Sequence, residues 1–281
     1  MLTAIENEDL KITADSDGAQ LQSLIFKEDG KNYLWHGDSK YWGRRAPVLF
    51  PIVGRLKDDR YFYDEEEYKM TQHGFARDME FELSESSDKH LLYTLNYNQQ
   101  TLKIYPFKFK LEIKYELENN KLNISYRIFN EDKKEMYYSI GAHPAFYWPF
   151  KEGEKKEENA ARYLLDDGLL NNQKEILLDK EKKLDLYPGL FKDDALVFKN
   201  ISSNKVALKS KKSSREVELE FKDFPYLGIW SQSAEAPFIC IEPWQGISDS
   251  TDSSGRLEEK EGINALKAGE SDYFKHSIKI K

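Results

Sequence analysis

A single cysteine, Cys240, is present in the 281-residue chain. It excludes an internal disulfide and any metal site built from several cysteines. Long apolar runs are also missing, because no stretch approaches the roughly 20 residues that a membrane-spanning helix requires. The first residues, MLTAIENE, lack the basic start and apolar centre of a signal peptide. These absences predict a soluble, cytoplasmic protein without a membrane partner.

An excess of basic charge is absent as well. The chain has 42 Lys and Arg against 50 Asp and Glu, which gives a net charge of −8. Nucleic acids and anionic membranes require a basic face, so neither is expected as the main partner. Aromatic residues, by contrast, are abundant at 14%, within a hydrophobic fraction of 40%. That fraction is sufficient for a sizeable folded core.

Alternation of apolar and polar residues with a period of two dominates the chain. In the clearest case, residues 107–117 alternate Phe, Leu, Ile and Tyr with Lys and Glu, and a second such run covers 122–128. The polar turn ENNK at 118–121 lies between them, so a β-hairpin is predicted. Short strands at this spacing favour an all-β fold, a sandwich of antiparallel sheets. The same pattern predicts further strands at 10–13, 91–97, 217–221 and 278–280.

Helical patterning is scarce. Residues 151–165 and 172–184 are rich in charge and have weak helical character, and they are predicted to be a surface loop and a short helix. No linker rich in Pro, Gly or Ser divides the chain. Residues 1–281 are therefore predicted to form one domain.

Four blocks interrupt the strand pattern with residues that can bind ligands or transfer protons. The first is APVLFPIVGRL at 46–56, whose two prolines exclude a central strand. Its Arg55 needs water, a carboxylate or a ligand as a partner. The second, QHGFARD at 72–78, places His73 before a glycine that lets the backbone approach a bound group. Taken alone, a structural ion pair and an ordinary surface or core histidine explain these residues more simply.

The third block, YYSIGAHPAFYWP at 137–149, contains His143 in aromatic, proline-bounded surroundings. A low dielectric there is expected to hold the imidazole near the pKa that acid–base catalysis requires. The neighbouring aromatic faces also suit the apolar face of a pyranose ring. The alternative is a hydrogen-bonded histidine in an aromatic core.

The fourth block, FICIEPWQGISD at 238–249, places Glu242 at the end of a strongly apolar strand. Burial of a carboxylate is costly unless it is paired, and burial raises the carboxyl pKa. Glu242 is therefore the strongest single indication of function among the residues. The alternative is a buried ion pair between Glu242 and Arg55.

The segments FPIVGR, HGFAR, AHPAF and IEPWQG begin at residues 50, 73, 142 and 241. In this order they resemble the aldose 1-epimerase (mutarotase) family, and most of all its LacX-like branch, over nearly the whole chain. The resemblance implies a single-domain antiparallel β-supersandwich of the galactose mutarotase type, with a sugar bound in a cleft on one sheet. It implies an isomerase whose partner is a small-molecule sugar.

The resemblance also implies roles for individual residues. By position, Glu242 matches the general base of the family and His143 its general acid. His73 matches the second histidine of the active site, and Arg55 matches the arginine that contacts sugar hydroxyls.

Two further substrate contacts are implied. The family carries an aspartate at the start of a later strand, which the segment FKDDALVF at 191–198 resembles. Either Asp193 or Asp194 takes this place, because neighbours on a strand face opposite ways. Trp244, two residues after the expected base, is the other candidate.

The sequence departs from the galactose mutarotases proper at two positions. Gly54 stands where Asn tends to precede the arginine, and Phe75 stands where Gly tends to follow His-Gly. The segment HGFAR resembles the branch that acts on hexose 6-phosphates, so Arg77, with Arg44 or Arg45, is a candidate phosphate ligand. The expected substrate is a hexose such as galactose, or its 6-phosphate.

Mutarotation takes a proton from the anomeric hydroxyl and gives one to the ring oxygen, so neither a metal nor another cofactor is expected. Three alternatives stay open: a non-catalytic carbohydrate-binding sandwich, a glycosidase with Glu242 and an aspartate as its two carboxylates, and a metal site from His73, His143 and Glu242. The sequence leaves open whether the protein is a monomer or a homodimer.

Overall fold

The fold is seen in a computed structural model that describes residues 1–150, 162–164, 183–186, 189–192, 194–199, 203–210 and 214–281. Strands dominate these residues, and helix is limited to α1 (Thr101–Ile104) and to short 3-10 turns at Lys57–Asp59, Ala76–Asp78 and Leu257–Glu259. The strands are β1 (Leu2–Glu6), β2 (Leu10–Asp15), β3 (Gln20–Phe26), β4 (Lys31–Asn32), β5 (Val48–Leu49), β6 (Arg60–Tyr63), β7 (Glu66–Lys69), β8 (Glu82–Ser86), β9 (His90–Asn96), β10 (Phe109–Glu118), β11 (Lys121–Asn130), β12 (Met136–Tyr138), β13 (Ile140–Ala142), β14 (Ala145–Tyr147), β15 (Arg162–Leu164), β16 (Lys183–Asp185), β17 (Leu196–Lys199), β18 (Lys205–Lys209), β19 (Glu216–Glu220), β20 (Tyr226–Trp230), β21 (Phe238–Gln245), β22 (Asn264–Leu266) and β23 (Ser271–Ile280).

The hairpin predicted around residues 118–121 is confirmed. Strands β10 and β11 pair antiparallel along their full lengths, and Glu118 lies opposite Lys121. Asn119 in the two-residue turn has a φ of +51°, a left-handed conformation that asparagine adopts more readily than most residues. Buried and partly exposed residues alternate along β10, as expected for a strand with one face on the core.

The hairpin lies in the middle of a seven-stranded antiparallel sheet with the order β18-β19-β23-β11-β10-β9-β8. The strands predicted at 91–97, 217–221 and 278–280 are β9, β19 and β23 of this sheet. Their inward residues, together with those of the hairpin, belong to one large buried apolar cluster. Burial of this alternating apolar face is the main stabilising contribution of the sheet.

A six-stranded sheet carries the residues of functional interest. Its order is β17-β20-β21-β13-β5, and β14 also pairs with β21. Strands β13 and β14 therefore lie end to end along the same edge of β21, with only His143 and Pro144 between them. The smaller sheets are β1-β2-β3-β4 and the pairs β6-β7, β12-β22 and β15-β16. The all-β, mainly antiparallel fold that the patterning predicts is confirmed.

The segments predicted as a surface loop and a short helix, 151–165 and 172–184, lie mostly outside the described residues. Where their chain is described, at Arg162–Leu164 and at Lys183–Asp185, the backbone forms a two-stranded antiparallel pair instead. The prediction is wrong at these ends, because pairing between distant segments overrides weak local propensity. Among the described residues, no helix is both long and apolar enough to cross a membrane.

His276 on β23 is an unusual member of the apolar core. Its imidazole is 1% exposed, stacks on Tyr126 with ring centroids 5.7 Å apart, and meets the edge of Phe224 at 5.8 Å. Neither ring nitrogen has a hydrogen-bond partner among the described residues. Burial lowers the pKa of His276 from its ordinary value of 6.5 to about 3, so the folded protein holds it neutral.

This histidine is expected to destabilise the protein in mild acid. Because the pKa of His276 is lower in the folded than in the unfolded protein, this residue does not reduce the free energy of unfolding above pH 6.5. The free energy of unfolding decreases as the pH falls from 6.5 towards 3, since only the unfolded chain takes up the proton there. At pH 5 the loss from this residue amounts to about 2 kcal/mol. His276→Phe keeps the stacking and removes the titration, so its free energy of unfolding relative to wild type should improve by about 2 kcal/mol between pH 8 and pH 5.

Urea unfolding at the two pH values measures this difference. His90→Asn is the matched control, because His90 lies on the surface beside Glu85. An equal pH dependence in wild type and His276→Phe would contradict the assignment.

Candidate active site

Strand β21 presents three chemically distinctive side chains on one face. Cys240, Glu242 and Trp244 alternate with Ile239, Ile241 and Pro243, so the first three share a face of the sheet and the isoleucines point into the main core. Glu242 is 1% exposed although it is a carboxylic acid. The period of the strand therefore brings a thiol, a carboxyl and an indole together.

His143 lies beside Glu242 because the neighbouring strand is interrupted there. The backbone N–H of Ile241 donates to the Pro144 carbonyl at 3.2 Å, which holds the interruption against β21. The N–H of His143 donates to the Pro47 carbonyl, also at 3.2 Å. In this position His143 Nε2 lies 3.1 Å from Glu242 Oε2, and the histidine side chain is 10% exposed.

Two glycines make room for the Trp244 indole on the same face. Gly141 on β13 and Gly228 on β20 flank β21, and a Cβ atom on either would lie 2.7 Å from the indole ring. Gly228 is also the residue directly opposite Glu242. The absence of side chains at these two positions lets the indole lie across the sheet next to the carboxyl.

Burial dominates the electrostatics of the His143–Glu242 pair. Burial, and secondly the negative charge of Asp194, raise the pKa of Glu242 well above 4.5, and the Trp244 N–H acts in the opposite direction. Burial lowers the pKa of His143 to about 3, and the positive charges of Arg77 and Arg44 contribute to this. Burial thus favours the uncharged form of both groups, a protonated carboxyl beside a neutral imidazole, and the two titrate as a coupled pair.

Several polar atoms of this cluster have no hydrogen-bond partner among the described residues. They are both carboxyl oxygens of Glu242, Nδ1 of His143 and Nε1 of Trp244. The 3.1 Å contact between His143 and Glu242 is close but lies outside hydrogen-bond geometry. Buried polar groups are rarely left unpaired, so this cluster is suited to a ligand rich in hydroxyl groups.

The second histidine of the candidate site, His73, is fixed by a reciprocal backbone contact. Its N–H donates to the Gly54 carbonyl at 2.8 Å, and the Gly54 N–H donates to His73 Nδ1 at 3.0 Å. Because Nδ1 accepts a hydrogen bond, the ring proton of neutral His73 resides on Nε2. Burial, followed by the neighbouring His143, lowers the pKa of His73 well below 6.5. His73 is therefore a neutral hydrogen-bond donor.

The two histidine rings meet edge to face, with centroids 5.6 Å apart and planes at 89°. This arrangement depends on a turn whose backbone is tightly placed: His73 and Gly74 have φ values of +68° and +70°. A Cβ atom on Gly74 would lie 2.3 Å from the Phe50 carbonyl oxygen, so only glycine permits this approach. The sequence predicts a close approach of this glycine to a bound group, whereas in the structure the glycine approaches the Phe50 backbone.

Two arginines lie on the histidine side of the cluster. The positive charges of Arg77 and Arg44 lower the pKa of both His73 and His143. Arg77 donates to the Gln72 carbonyl at 2.7 Å, and Arg44 pairs with Asp78 at 2.8 Å.

Arg45, the other arginine of the expected phosphate contact, points elsewhere. Its Nε donates to the carbonyl of His36 at 2.7 Å. Of the two adjacent arginines in the sequence, Arg44 is therefore the one whose charge acts on the histidines.

Arg55 is placed differently from the other expected site residues. Its side chain is 67% exposed and pairs with Asp59 at 2.9 Å, so the structure does not bring its guanidinium into contact with the His143–Glu242 pair. The buried Glu242–Arg55 ion pair considered from the sequence is thereby excluded. Asp194 is exposed with a φ of +84°, yet its charge acts on Glu242. Asp193 lies outside the described residues.

The aromatic wall of the site comes from residues that sequence reasoning missed. Trp42 stacks on His143 with centroids 4.8 Å apart, and Trp230 meets the same ring edge-on at 5.8 Å. The aromatic residues adjacent to His143 in the sequence lie elsewhere: Trp148 is fully buried, and Tyr147 stacks on His36. Only the three-dimensional structure reveals the contact between Trp42 and His143, because the two residues are about 100 positions apart in the sequence.

The structure also changes the set of possible metal ligands that the sequence suggested. Among the described residues, one group of potential ligands has atoms within 4.8 Å of one another, and it consists of His143, Cys240 and Glu242. Cys240 thus takes the place expected for His73.

The family relationship is established by comparison with known proteins. A family model described as aldose 1-epimerase matches residues 1–261. Two curated relatives from Lactococcus lactis subsp. lactis, the plasmid and chromosomal forms of protein LacX, are each 36% identical over 284 residues and cover 95% of both chains.

Solved structures agree. A galactose mutarotase related enzyme from Lactobacillus acidophilus is 36% identical with a TM-score of 0.91 and covers 100% of this chain and 97% of its own. A galactose mutarotase-like protein from Lactobacillus casei is 30% identical with a TM-score of 0.93 and covers all of both chains. The galactose mutarotase fold predicted from the sequence is confirmed, and the chain belongs to the aldose 1-epimerase family of isomerases.

Proposed function

We propose that the protein interconverts the α and β anomers of a hexose, with His143 and Glu242 as its proton-transfer pair. The observation that carries the proposal is the contact between these two buried groups, whose Nε2 and Oε2 atoms lie 3.1 Å apart. A pair that binds one proton contains an acid and a base at once. That is what ring opening of a pyranose requires.

The proton balance of the reaction fits this pair. Transfer of the carboxyl proton from Oε2 to Nε2, once the two atoms come into hydrogen-bond geometry, produces a carboxylate beside an imidazolium. Glu242 then takes the proton of the anomeric hydroxyl while His143 gives its proton to the ring oxygen, and the C1–O5 bond breaks. After rotation about C1–C2, closure on the other face of the carbonyl reverses both transfers. Each proton-transfer partner contributes roughly 10²–10⁴-fold.

The remaining groups hold the sugar. The Nε2–H of His73 and the N–H of Trp244 are donors for sugar oxygens, and the half-buried indoles of Trp42 and Trp230 suit the apolar side of the ring. An aspartate, Asp193 or Asp194, orients a hydroxyl. Arg55 reaches the sugar only if it leaves Asp59.

A non-catalytic carbohydrate-binding protein is the second candidate, because the aromatic wall and the unpaired donors serve binding equally well. It has no need of a buried proton pair, whose formation costs folding energy. Turnover distinguishes the two functions directly.

Glu242→Gln tests the pair. The amide keeps the size and hydrogen-bonding capacity of the side chain but cannot accept a proton at neutral pH. Anomer exchange measured by ¹H NMR should fall by about 10²-fold or more, while sugar binding measured by calorimetry persists.

His143→Asn should show a similar loss of anomer exchange. The double variant should be little worse than the poorer single variant, because the effects of groups that act as a unit are non-additive.

Folded Glu242→Gln protein that exchanges anomers at close to the wild-type rate would refute the assigned base. Wild type that binds sugars without accelerating exchange would support the carbohydrate-binding alternative. In both measurements the spontaneous rate is subtracted, since free sugars mutarotate in water.

The pH profile provides an independent prediction. Because burial lowers the pKa of His143 to about 3, kcat/KM should show no inflection at the ordinary histidine value of 6.5. Loss of activity on the alkaline side should report removal of the single proton of the pair. An acidic limb centred near 6.5 would show that His143 titrates as an exposed imidazole, contrary to the structure.

The substrate proposed is a hexose such as galactose or its 6-phosphate. Arg44 and Arg77 support the phosphate form, because both lie near the histidines and share Asp78 as their carboxylate neighbour. Two guanidinium groups beside one carboxylate leave a positive charge that a phosphate complements.

Arg44→Gln should therefore lower kcat/KM for a hexose 6-phosphate by roughly tenfold or more and leave the free hexose nearly unaffected. Arg45→Gln is the matched control, since its guanidinium faces the carbonyl of His36. Equal wild-type rates on free and phosphorylated hexoses would assign the arginines a structural role.

A further inference from the structure

Cys240 has no part in the proton transfers, yet it lies within the site. The thiol is completely buried and occupies the same face of β21 as Glu242, two residues away. In the neighbouring strands, Trp230 and Ala145 lie opposite Cys240. Burial raises its pKa well above 9.0, as does the charge of Glu242, so the thiol is protonated in the free protein.

The thiol shares its surroundings with two other metal-binding side chains. One ligand atom from each of His143, Cys240 and Glu242 lies within 4.8 Å of the others, and all three residues are buried. Both oxygens of Glu242, which is 1% exposed, have no hydrogen-bond partner among the described residues. The lone pairs of the carboxyl are thus available for coordination.

We infer that His143, Cys240 and Glu242 form a binding site for a zinc ion that inhibits the enzyme. Nitrogen, thiolate sulfur and carboxylate oxygen are the ligands that Zn²⁺ prefers, and three protein ligands leave its fourth position open. When zinc binds, the proton of the Cys240 thiol and the proton of the Glu242 carboxyl are released to solvent. Ligand atoms around tetrahedral zinc lie about 3.3–3.7 Å apart. The His143–Glu242 separation of 3.1 Å is close to this distance, and the group as a whole has to contract by about 1 Å from its 4.8 Å limit.

Zinc in this position is incompatible with the proposed chemistry. It coordinates the oxygen that serves as base and the nitrogen that serves as acid, so neither can exchange a proton with a sugar. The inhibition rests on the proposed function, whereas zinc binding itself does not. The two are therefore measured separately.

Zinc binding is measured by competition with a chromophoric chelator, using the intact protein and Zn²⁺ alone. We expect one tight zinc site. Cys240→Ala should lower its zinc affinity by about 100-fold or more, because removing a metal ligand costs more affinity than removing a group that only orients a ligand. Titration with Co²⁺ should give a thiolate-to-metal charge-transfer band in wild type and none in Cys240→Ala. His90→Asn is the control, because His90 and Glu85 form another His–carboxylate contact, on the surface.

Inhibition is measured as the ratio of anomer-exchange rates with and without Zn²⁺ for each variant. A large ratio in wild type and His90→Asn that disappears in Cys240→Ala supports the inhibitory site. Cys240→Ser serves as a second variant should the alanine variant not fold.

Zinc affinity that is equal in wild type and the folded Cys240 variant, or a cobalt spectrum without a thiolate band, would overturn the proposal. Tight, Cys240-dependent zinc binding by a protein without epimerase activity would refute the proposed function and leave the metal site intact.

Discussion

The close approach of His143 and Glu242 in a buried position is the interaction on which the rest of the site depends. Two ionisable groups are withdrawn from water, and burial keeps both uncharged in the free protein. A buried polar group without a hydrogen bond costs roughly 1–3 kcal/mol, so the fold retains this arrangement against its own stability. Such a cost is typical of functional sites. Because burial favours the uncharged form of both groups, a carboxyl and an imidazole can lie 3.1 Å apart without forming an ion pair.

The six-stranded sheet is modified around this pair in two ways. The break between β13 and β14 allows His143 to lie beside the middle of β21, where an unbroken strand would place an ordinary ladder residue. On the other side, Gly228 opposite Glu242 leaves the space that the Trp244 indole occupies. A regular sheet therefore supports an irregular site, and its paired strands fix the distance between the two groups proposed to transfer protons.

The same alternation that aligns Glu242 with Trp244 also brings Cys240 to this face. The proposed metal site follows from the residue types on this face, because a thiol, an imidazole and a carboxyl have ligand atoms within 4.8 Å of one another. A buried site whose carboxyl oxygens have no hydrogen-bond partner among the described residues is also a site for which a divalent cation can be proposed. The proposed inhibition by zinc and the proposed catalysis therefore depend on the same cluster of side chains.

The sequence by itself determined the alternating strands of the seven-stranded sheet, because a period of two in hydrophobicity is a local property that β10 and β11 display residue by residue. It did not determine the pair β15–β16, where the local pattern is weak. It also singled out His143 and Glu242, since a polar residue within an apolar run is visible without coordinates. Only the tertiary structure decided what surrounds them: Trp42 covers His143 from a distant segment, Cys240 replaces His73 in the ligand group, and Arg55 pairs with Asp59 at the surface. These outcomes depend on how separate strands pair and on which face each presents. Such long-range contacts are not encoded in any short stretch of the chain.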